Sequence, residues 1–231
     1  MDTAVLAPTA DVLRAVGVAE TPVALAGGTT GPSYLAGSVV LKANQDEEST
    51  AWLGDVAAAI EPSRDFRLAR PIRSLSGSWT VAGWAATSCV EGDHVSGRWV
   101  EILESGRALH RAIAHLPRPD FVDRRTDRWA IADRAVWGEA VVATPNQLED
   151  EIGRLEVLLR PIEGVPQIVH SDLCGNALIA ADLPPAIIDF SPMYRSAEYA
   201  EGILISDAVI WEEVPMSLAE NWAVNPEQLK C

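Results

Sequence analysis

The residues best able to do chemistry together lie in one stretch. It runs Ile168-Val169-His170-Ser171-Asp172-Leu173-Cys174-Gly175-Asn176-Ala177-Leu178-Ile179 and resumes at Ala186-Ile187-Ile188-Asp189-Phe190-Ser191. Asn176 offers an amide oxygen and Asp189 a carboxylate. That pair suits a hard cation such as Mg²⁺, which keeps several waters and takes the rest of its shell from phosphates. Asp172 is then left to accept the proton of an attacking hydroxyl. His170 has no second His or Cys beside it, so it reads as an internal brace on the backbone and not as a zinc ligand. Taken singly, each Asx is equally a turn residue bonding its own backbone. Their joint placement is what points to chemistry.

The placement depends on a hairpin. Ala177–Ala180 and Ala186–Ile188 are apolar runs separated by Ala181-Asp182-Leu183-Pro184-Pro185, a loop of about five residues. Folding the chain about Asp182–Leu183 is expected to set Asn176 opposite Asp189, with Asp172 in the loop just before.

Upstream, Val12, Leu13 and Val16 fit a short helix that stops at Gly17. Val23–Ala26, Tyr34–Ala36, Ser38–Ala43, Phe66–Ala69 and Trp79–Ala82 read as strands. A helix is expected over 46–60 from the spacing of Trp52, Leu53, Val56 and Ile60, and another over 98–116 from Ile102, Leu109, Ile113 and Leu116. Pro117 and Pro119 end the second. Helices are also expected around 129–137, 148–159 and 197–211, and a strand over 167–170. Trp84–Val90 is extended, and Glu91-Gly92-Asp93 ends it with turn residues. The boundary is placed there, giving domains 1–92 and 93–231. His94, His110 and His115 read as surface or helix residues; Trp52, Trp129 and Trp137 read as core.

Composition narrows the partners. Eighteen basic residues face 33 acidic ones, a net charge of −15. Nucleic-acid binding needs a basic surface, so it is excluded as a role for the whole chain, and adhesion to anionic membranes is disfavoured. No apolar run approaches the ~20 residues of a spanning helix. Three scattered cysteines, Cys89, Cys174 and Cys231, form neither a disulfide framework nor a Cys-x-x-Cys site. No signal peptide is read, and the cytoplasm is the expected location.

His170-Ser171-Asp172 through Asn176, then Ile188-Asp189-Phe190, resembles the catalytic loop and metal motif of the aminoglycoside phosphotransferase/choline kinase group. The resemblance covers most of the chain. It implies an α+β, two-lobed protein-kinase-like fold, with a small antiparallel-sheet N-lobe and a mainly helical C-lobe. It also implies ATP-dependent transfer of a γ-phosphoryl group to a hydroxyl of a small molecule, with Asp172 as catalytic base and Asn176 and Asp189 as Mg²⁺ ligands. Gly27-Gly28-Thr29-Thr30-Gly31 falls where that fold keeps a loop over the phosphates, although a plain hairpin turn reads equally well. Lys42 matches the lysine that neutralises α- and β-phosphate charge, with Glu48 as its expected helix partner and Glu47 in reserve. A lysine snorkelling from an edge strand is the alternative. Ala86–Gly92, with Cys89 and Val90 at its centre, resembles the linker whose backbone bonds adenine. Trp84 is placed to flank the nucleotide.

The chain also departs from the pattern. Only Leu173, Cys174 and Gly175 separate Asp172 from Asn176, where the family has four residues. One missing residue moves the Asn by up to ~3.5 Å in an extended loop, so Gly175 is expected to supply a tighter turn. Ser171 replaces the usual glycine, and only 42 residues follow Asp189. A homodimer is one way to complete so short a lobe. Glu198, Glu201, Asp207, Glu212 and Glu213 read either as a solvated acidic face or as a site for a cationic acceptor. The rival functions are a catalytically inactive nucleotide- or partner-binding module of the same fold, and a metal-dependent hydrolase using His170, Asp172 and Asp189.

Overall fold

The computed structural model describes residues 7–26, 31–159 and 164–217. In chain order these form α1 (Ala10–Ala15), β1 (Val23–Ala24), β2 (Ser33–Ala36), β3 (Val39–Lys42), α2 (Glu47–Ala59), β4 (Arg67–Leu68), β5 (Pro71–Ile72), β6 (Thr80–Val81) and β7 (Trp84–Ser88). There follow α3 (Trp99–Ile113), α4 (Asp120–Arg124), α5 (Arg128–Val136), α6 (Glu149–Glu156), β8 (Gln167–His170), β9 (Ala177–Ala180), β10 (Leu183–Ile187), β11 (Pro192–Arg195) and α7 (Ala197–Trp211). The chain divides into two compact units. The first is Met1–Val95 with Gly175–Phe190; the second is Ser96–Cys174 with Ser191–Cys231. A single cut after Gly92 therefore describes neither unit in full, because the 175–190 hairpin belongs to the first.

The first unit is built on an antiparallel sheet ordered β1-β2-β3-β7-β5, with β6 also paired to β7. The strands are short, and β2 and β3 alternate partly buried with buried residues. In β3, Val39 and Leu41 are buried while Val40 and Lys42 are only partly so. Val12 and Val18 pack with Ala36, Val39, Leu41 and Ala86, so α1 closes that apolar face. Truncating Leu41, which is fully buried, to alanine costs about 2–5 kcal/mol. Helix α2 starts where Asp46 accepts a hydrogen bond from the Ser49 N–H at 2.8 Å. Trp84 is half-buried and meets Tyr34 edge-on at 5.9 Å between ring centroids.

A second sheet in this unit is ordered β4-β10-β9, with β4 and β10 parallel. Here the expected five-residue hairpin loop is corrected. Strand β10 starts at Leu183, so the connection is Ala181-Asp182, with Asp182 at a φ of +59°. Pro184 and Pro185 lie inside the strand, where the register shifts between Leu183 and Ala186. A bulge is where a sheet tolerates residues without an N–H.

The second unit is mostly helical. Strands β8 and β11 form its antiparallel pair, from Gln167 opposite Arg195 to His170 opposite Pro192. Helix α3 runs against β8 and α7. It buries Ile102, Leu109 and Ile113 and keeps Glu101, Glu104 and Arg111 partly or fully exposed. Arg195 is buried between Asp133 and Glu139, with bonds of 2.7 and 2.9 Å, and its guanidinium lies over the Trp137 ring at 4.6 Å. These partners hold Arg195 protonated against the cost of its burial. Trp129, expected in the core, is exposed, with Arg128 over its ring. No helix among the described residues is long and apolar enough to cross a membrane.

Candidate active site

In the first unit the hairpin register is one residue away from expectation. Ala177 pairs with Ile187, and the Ile188 N–H donates to the Asn176 carbonyl at 2.9 Å. Asn176 thus lies opposite Ile188, with Asp189 the next residue along. The shift follows from the turn, which is centred on Ala181-Asp182 and not on Asp182-Leu183; the bulge at the prolines recovers one of the two positions so lost. Asp189 adopts a φ of +46°, a left-handed conformation uncommon outside glycine, Asn and Asp.

The partner of Lys42 is also corrected. Its ammonium is ion-paired with both carboxylate oxygens of Asp189 and not with a helix glutamate. Glu47 is engaged elsewhere: it accepts from the Trp79 N–H at 2.9 Å and the Thr80 N–H at 2.7 Å. The Trp79 N–H and then the Thr80 hydroxyl hold its carboxyl below the usual range. Glu48 is exposed in the first turn of α2. Which acid meets Lys42 is decided across 147 residues of chain, a pairing that local spacing does not encode.

The Lys42–Asp189 pair is informative about cations. Asp189 already draws a positive charge to its carboxylate, and the Asn176 backbone oxygen is spent on the ladder, so a metal would take the Asn176 side-chain amide. Carboxylate plus amide fits Mg²⁺, which needs few protein ligands when phosphates supply the rest. Among the described residues no group of three or more His, Cys, Asp and Glu is placed to hold a metal ion. The Phe190 ring lies 6.1 Å from Trp52 of α2.

Two other expected contacts are placed in part. Gly27, Gly28, Thr29 and Thr30 lie outside the described residues; Gly31 falls two positions before β2. In the linker, the Ser88 N–H donates to the Arg70 carbonyl and the Cys89 N–H to the Ser38 carbonyl, at 2.8 and 2.9 Å. Val90 is half-buried directly after them.

In the second unit, Asp172 follows β8 in a loop held from several sides. The Ser171 N–H and hydroxyl both donate to the Ser191 carbonyl, at 3.0 and 3.2 Å. The glycine-to-serine departure thus adds a bond to the loop. The Asp172 N–H donates to His170 Nδ1 at 3.1 Å, the brace that the sequence suggested. Leu173 is buried against α3, where a Cβ added at Gly106 would come within 2.5 Å of its Cδ1. Gly175 takes a φ of +73°, the tight turn that the shortened loop required.

Acidic groups collect near this loop. Burial pushes the Asp207 carboxyl up, the Asp172 charge adds to this, and the Trp211 indole N–H opposes it from 3.2 Å. Burial pushes the Cys174 thiol up to about 12, helped by Asp207, Glu212 and Asp172. Cys174 is thereby held as a neutral thiol at neutral pH. Of the remaining acids, Glu201 is buried and paired with Arg107 at 2.7 Å, while Glu213 is exposed.

His110, read from the sequence as a surface or helix residue, lies on a helix and is buried. This α3 residue is 1% exposed, and its Nε2 accepts the His170 N–H at 3.0 Å. The signal was a histidine four residues after Gly106 and beside Leu109 on an otherwise apolar helix face.

No protein-family model matches the chain, and no curated protein matches it. Among solved structures it is similar to an aminoglycoside phosphotransferase from Alicyclobacillus acidocaldarius. The TM-score is 0.59 at 14% identity, over 90% of this chain and 73% of that one. It is similar to APH(2")-IIia, solved with GDP and kanamycin, with a TM-score of 0.59 at 11% identity over 95% and 84%. Choline kinase LicA from Streptococcus pneumoniae gives a TM-score of 0.58 at 12% identity over 94% and 79%. The chain has the α+β, protein-kinase-like fold that these phosphotransferases and choline kinases share.

Proposed function

We propose that the chain is an ATP-dependent phosphotransferase that moves the γ-phosphoryl group to a hydroxyl of a small molecule. The observation that carries this reading is the meeting of Lys42, the last residue of β3, with Asp189, the acid that follows a hairpin whose other strand is preceded by Asn176. Lys42 neutralises phosphate charge, and the glycine-rich sequence at 27–31 is of a composition that would let backbone approach phosphate oxygens. The Cys89 N–H is bonded to the Ser38 carbonyl, so adenine recognition would use the Cys89 carbonyl and the backbone at Val90. Asn176 and Asp189 would hold Mg²⁺, which when bound supplies further positive charge against the phosphates. Asp172 orients the acceptor hydroxyl and takes its proton. The chemistry is positioning and electrostatics, with no covalent enzyme intermediate. Asp207 beside Asp172 favours an acceptor that carries amino groups.

A screen of hydroxyl-bearing acceptors with γ-labelled ATP tests the reading. Asp172→Asn should lower transfer by about 10³-fold or more while Mg·ATP still raises the melting temperature. Retained turnover would remove Asp172 from its role. The three-residue spacing between Asp172 and Asn176 favours one second reading, a nucleotide-binding module without activity. Stabilisation by Mg·ATP with no transfer to any acceptor would select it.

A further inference from the structure

We infer that His110 is a positioning residue: from helix α3 it sets the backbone of the loop that presents Asp172. The inference rests on the phosphotransferase reading for its functional consequence, and on the second unit alone for its geometry.

Helix α3 holds β8 at both ends through this one residue. Its carbonyl, in the last turn where helical acceptors run out of partners, takes the Gln167 side-chain N–H at 3.0 Å. Its ring Nε2 takes the His170 N–H at 3.0 Å. The His170 ring in turn takes the Asp172 N–H at 3.1 Å. Two imidazoles thus form a chain from a helix side chain to the backbone of the candidate base. Gly106, one turn earlier on the same face, receives Leu173 of the same loop. The His110 ring and the gap at Gly106 serve residues 170–173, and the His110 carbonyl holds Gln167 at the start of the same strand.

The arrangement is costly, which argues against mere packing. Since Nε2 accepts, the neutral ring carries its proton on Nδ1, and that buried atom has no partner among the described residues. An apolar side chain of similar volume would avoid this penalty. What an apolar side chain would lose is the acceptor for the His170 N–H. Burial keeps the ring neutral far below neutral pH, so the acceptor is present wherever the protein works.

Three measurements test this. In the wild-type protein, ring ¹⁵N resonances should report His110 as the Nδ1–H tautomer; an Nε2–H tautomer would overturn the proposal without any variant. His110→Met removes the acceptor at similar volume, whereas His110→Gln returns an oxygen near the Nε2 position. Amide exchange at His170 should quicken at least about tenfold in the Met variant and stay close to wild type in the Gln variant. With an acceptor from the screen in hand, His110→Met should lower kcat by about 10–100-fold with nucleotide KM unchanged, and His110→Gln should restore it. Unchanged exchange and kcat in the Met variant would sink the inference. If wild-type protein transfers no phosphate, the phosphotransferase reading fails instead. The tautomer and the exchange rates then decide His110's hold on the loop by themselves.

Discussion

Lys42 and Asp189 meet as full charges with 18% and 40% of their side chains exposed, whereas the His110 ring meets the His170 backbone N–H where the two residues are 1% and 0% exposed. The first pair, in the first unit, is held by Coulomb attraction that water and salt screen. Another cation can compete for it, as binding of Mg²⁺ and triphosphate would require. The second pair, in the second unit, is held by bonds that only exact placement satisfies, in a setting where an unpaired group is expensive. The groups proposed to handle mobile charge are left exchangeable, and the backbone beneath the proposed base is fixed before any ligand arrives.

The comparison breaks first at Lys42. If its ammonium works on phosphate charge and not on stability, Lys42→Ala should lower phosphoryl transfer by about 10²–10³-fold, the cost of losing one preorganised electrostatic group. The melting temperature without ligand should barely move. A large loss of stability with turnover intact would reverse the assignment, making Lys42 a structural residue.

The next effect belongs to the buried rings. Burial, and then the neighbouring His170, hold His110 from its ordinary 6.5 down to about 3. As pH falls below ~6.5 the unfolded chain binds this proton and the folded chain does not. Stability is therefore lost across the interval from 6.5 to 3 and recovers with rising pH. At pH 5 the loss from this one group is about 2 kcal/mol. Urea unfolding at pH 7 and pH 5 checks it: wild type should lose about that much more than His110→Gln. Equal losses would mean that His110 titrates normally and is not buried neutral.

Sequence patterns revealed the regular elements far better than the contacts between them. The spacing of apolar residues placed α3 within a few residues of its ends, and the 197–211 expectation coincides with α7. Strand β5 and strand β11 both begin with proline, and β5 has only two residues, so neither shows the alternation that marks a strand. Pro184-Pro185 read as loop because proline donates no hydrogen bond, and that reading displaced the Asn176 register by one. Asp172, Asn176 and Asp189 could be proposed together because they are close in sequence. The Lys42 partner and the His110 contact could not be, because they span 147 and 60 residues.

Gly106 offers a smaller test of the same buried template. Alanine in a helix interior is favoured over glycine by roughly 0.5–1 kcal/mol. Against that, the new methyl would fall 2.5 Å from Leu173 Cδ1, and Leu173 is 3% exposed and has little room to retreat. Overpacking of this kind costs about 1–3 kcal/mol, so Gly106→Ala should destabilise by about 1 kcal/mol net. A shift in amide exchange at residues 170–174 should accompany it. A rise in melting temperature would show that Leu173 is not wedged on the helix, and would separate the loop from α3.

The smallest expected effect sharpens the contrast from the other side. Asp189→Asn removes the charge facing Lys42 but keeps the volume, and asparagine tolerates the positive φ at this position as readily as aspartate. The loss is therefore that of a partly exposed ion pair, less than about 1 kcal/mol and shrinking as salt is added. Urea midpoints at low and high ionic strength measure it directly. Stabilisation of the variant by Mg·ATP should fall much further than its stability does, because the lost carboxylate is the one proposed to face the metal. A loss of several kcal/mol that salt does not relieve would place Asp189 among the buried, fixed groups, and the division between exchangeable and prepaid residues would no longer hold.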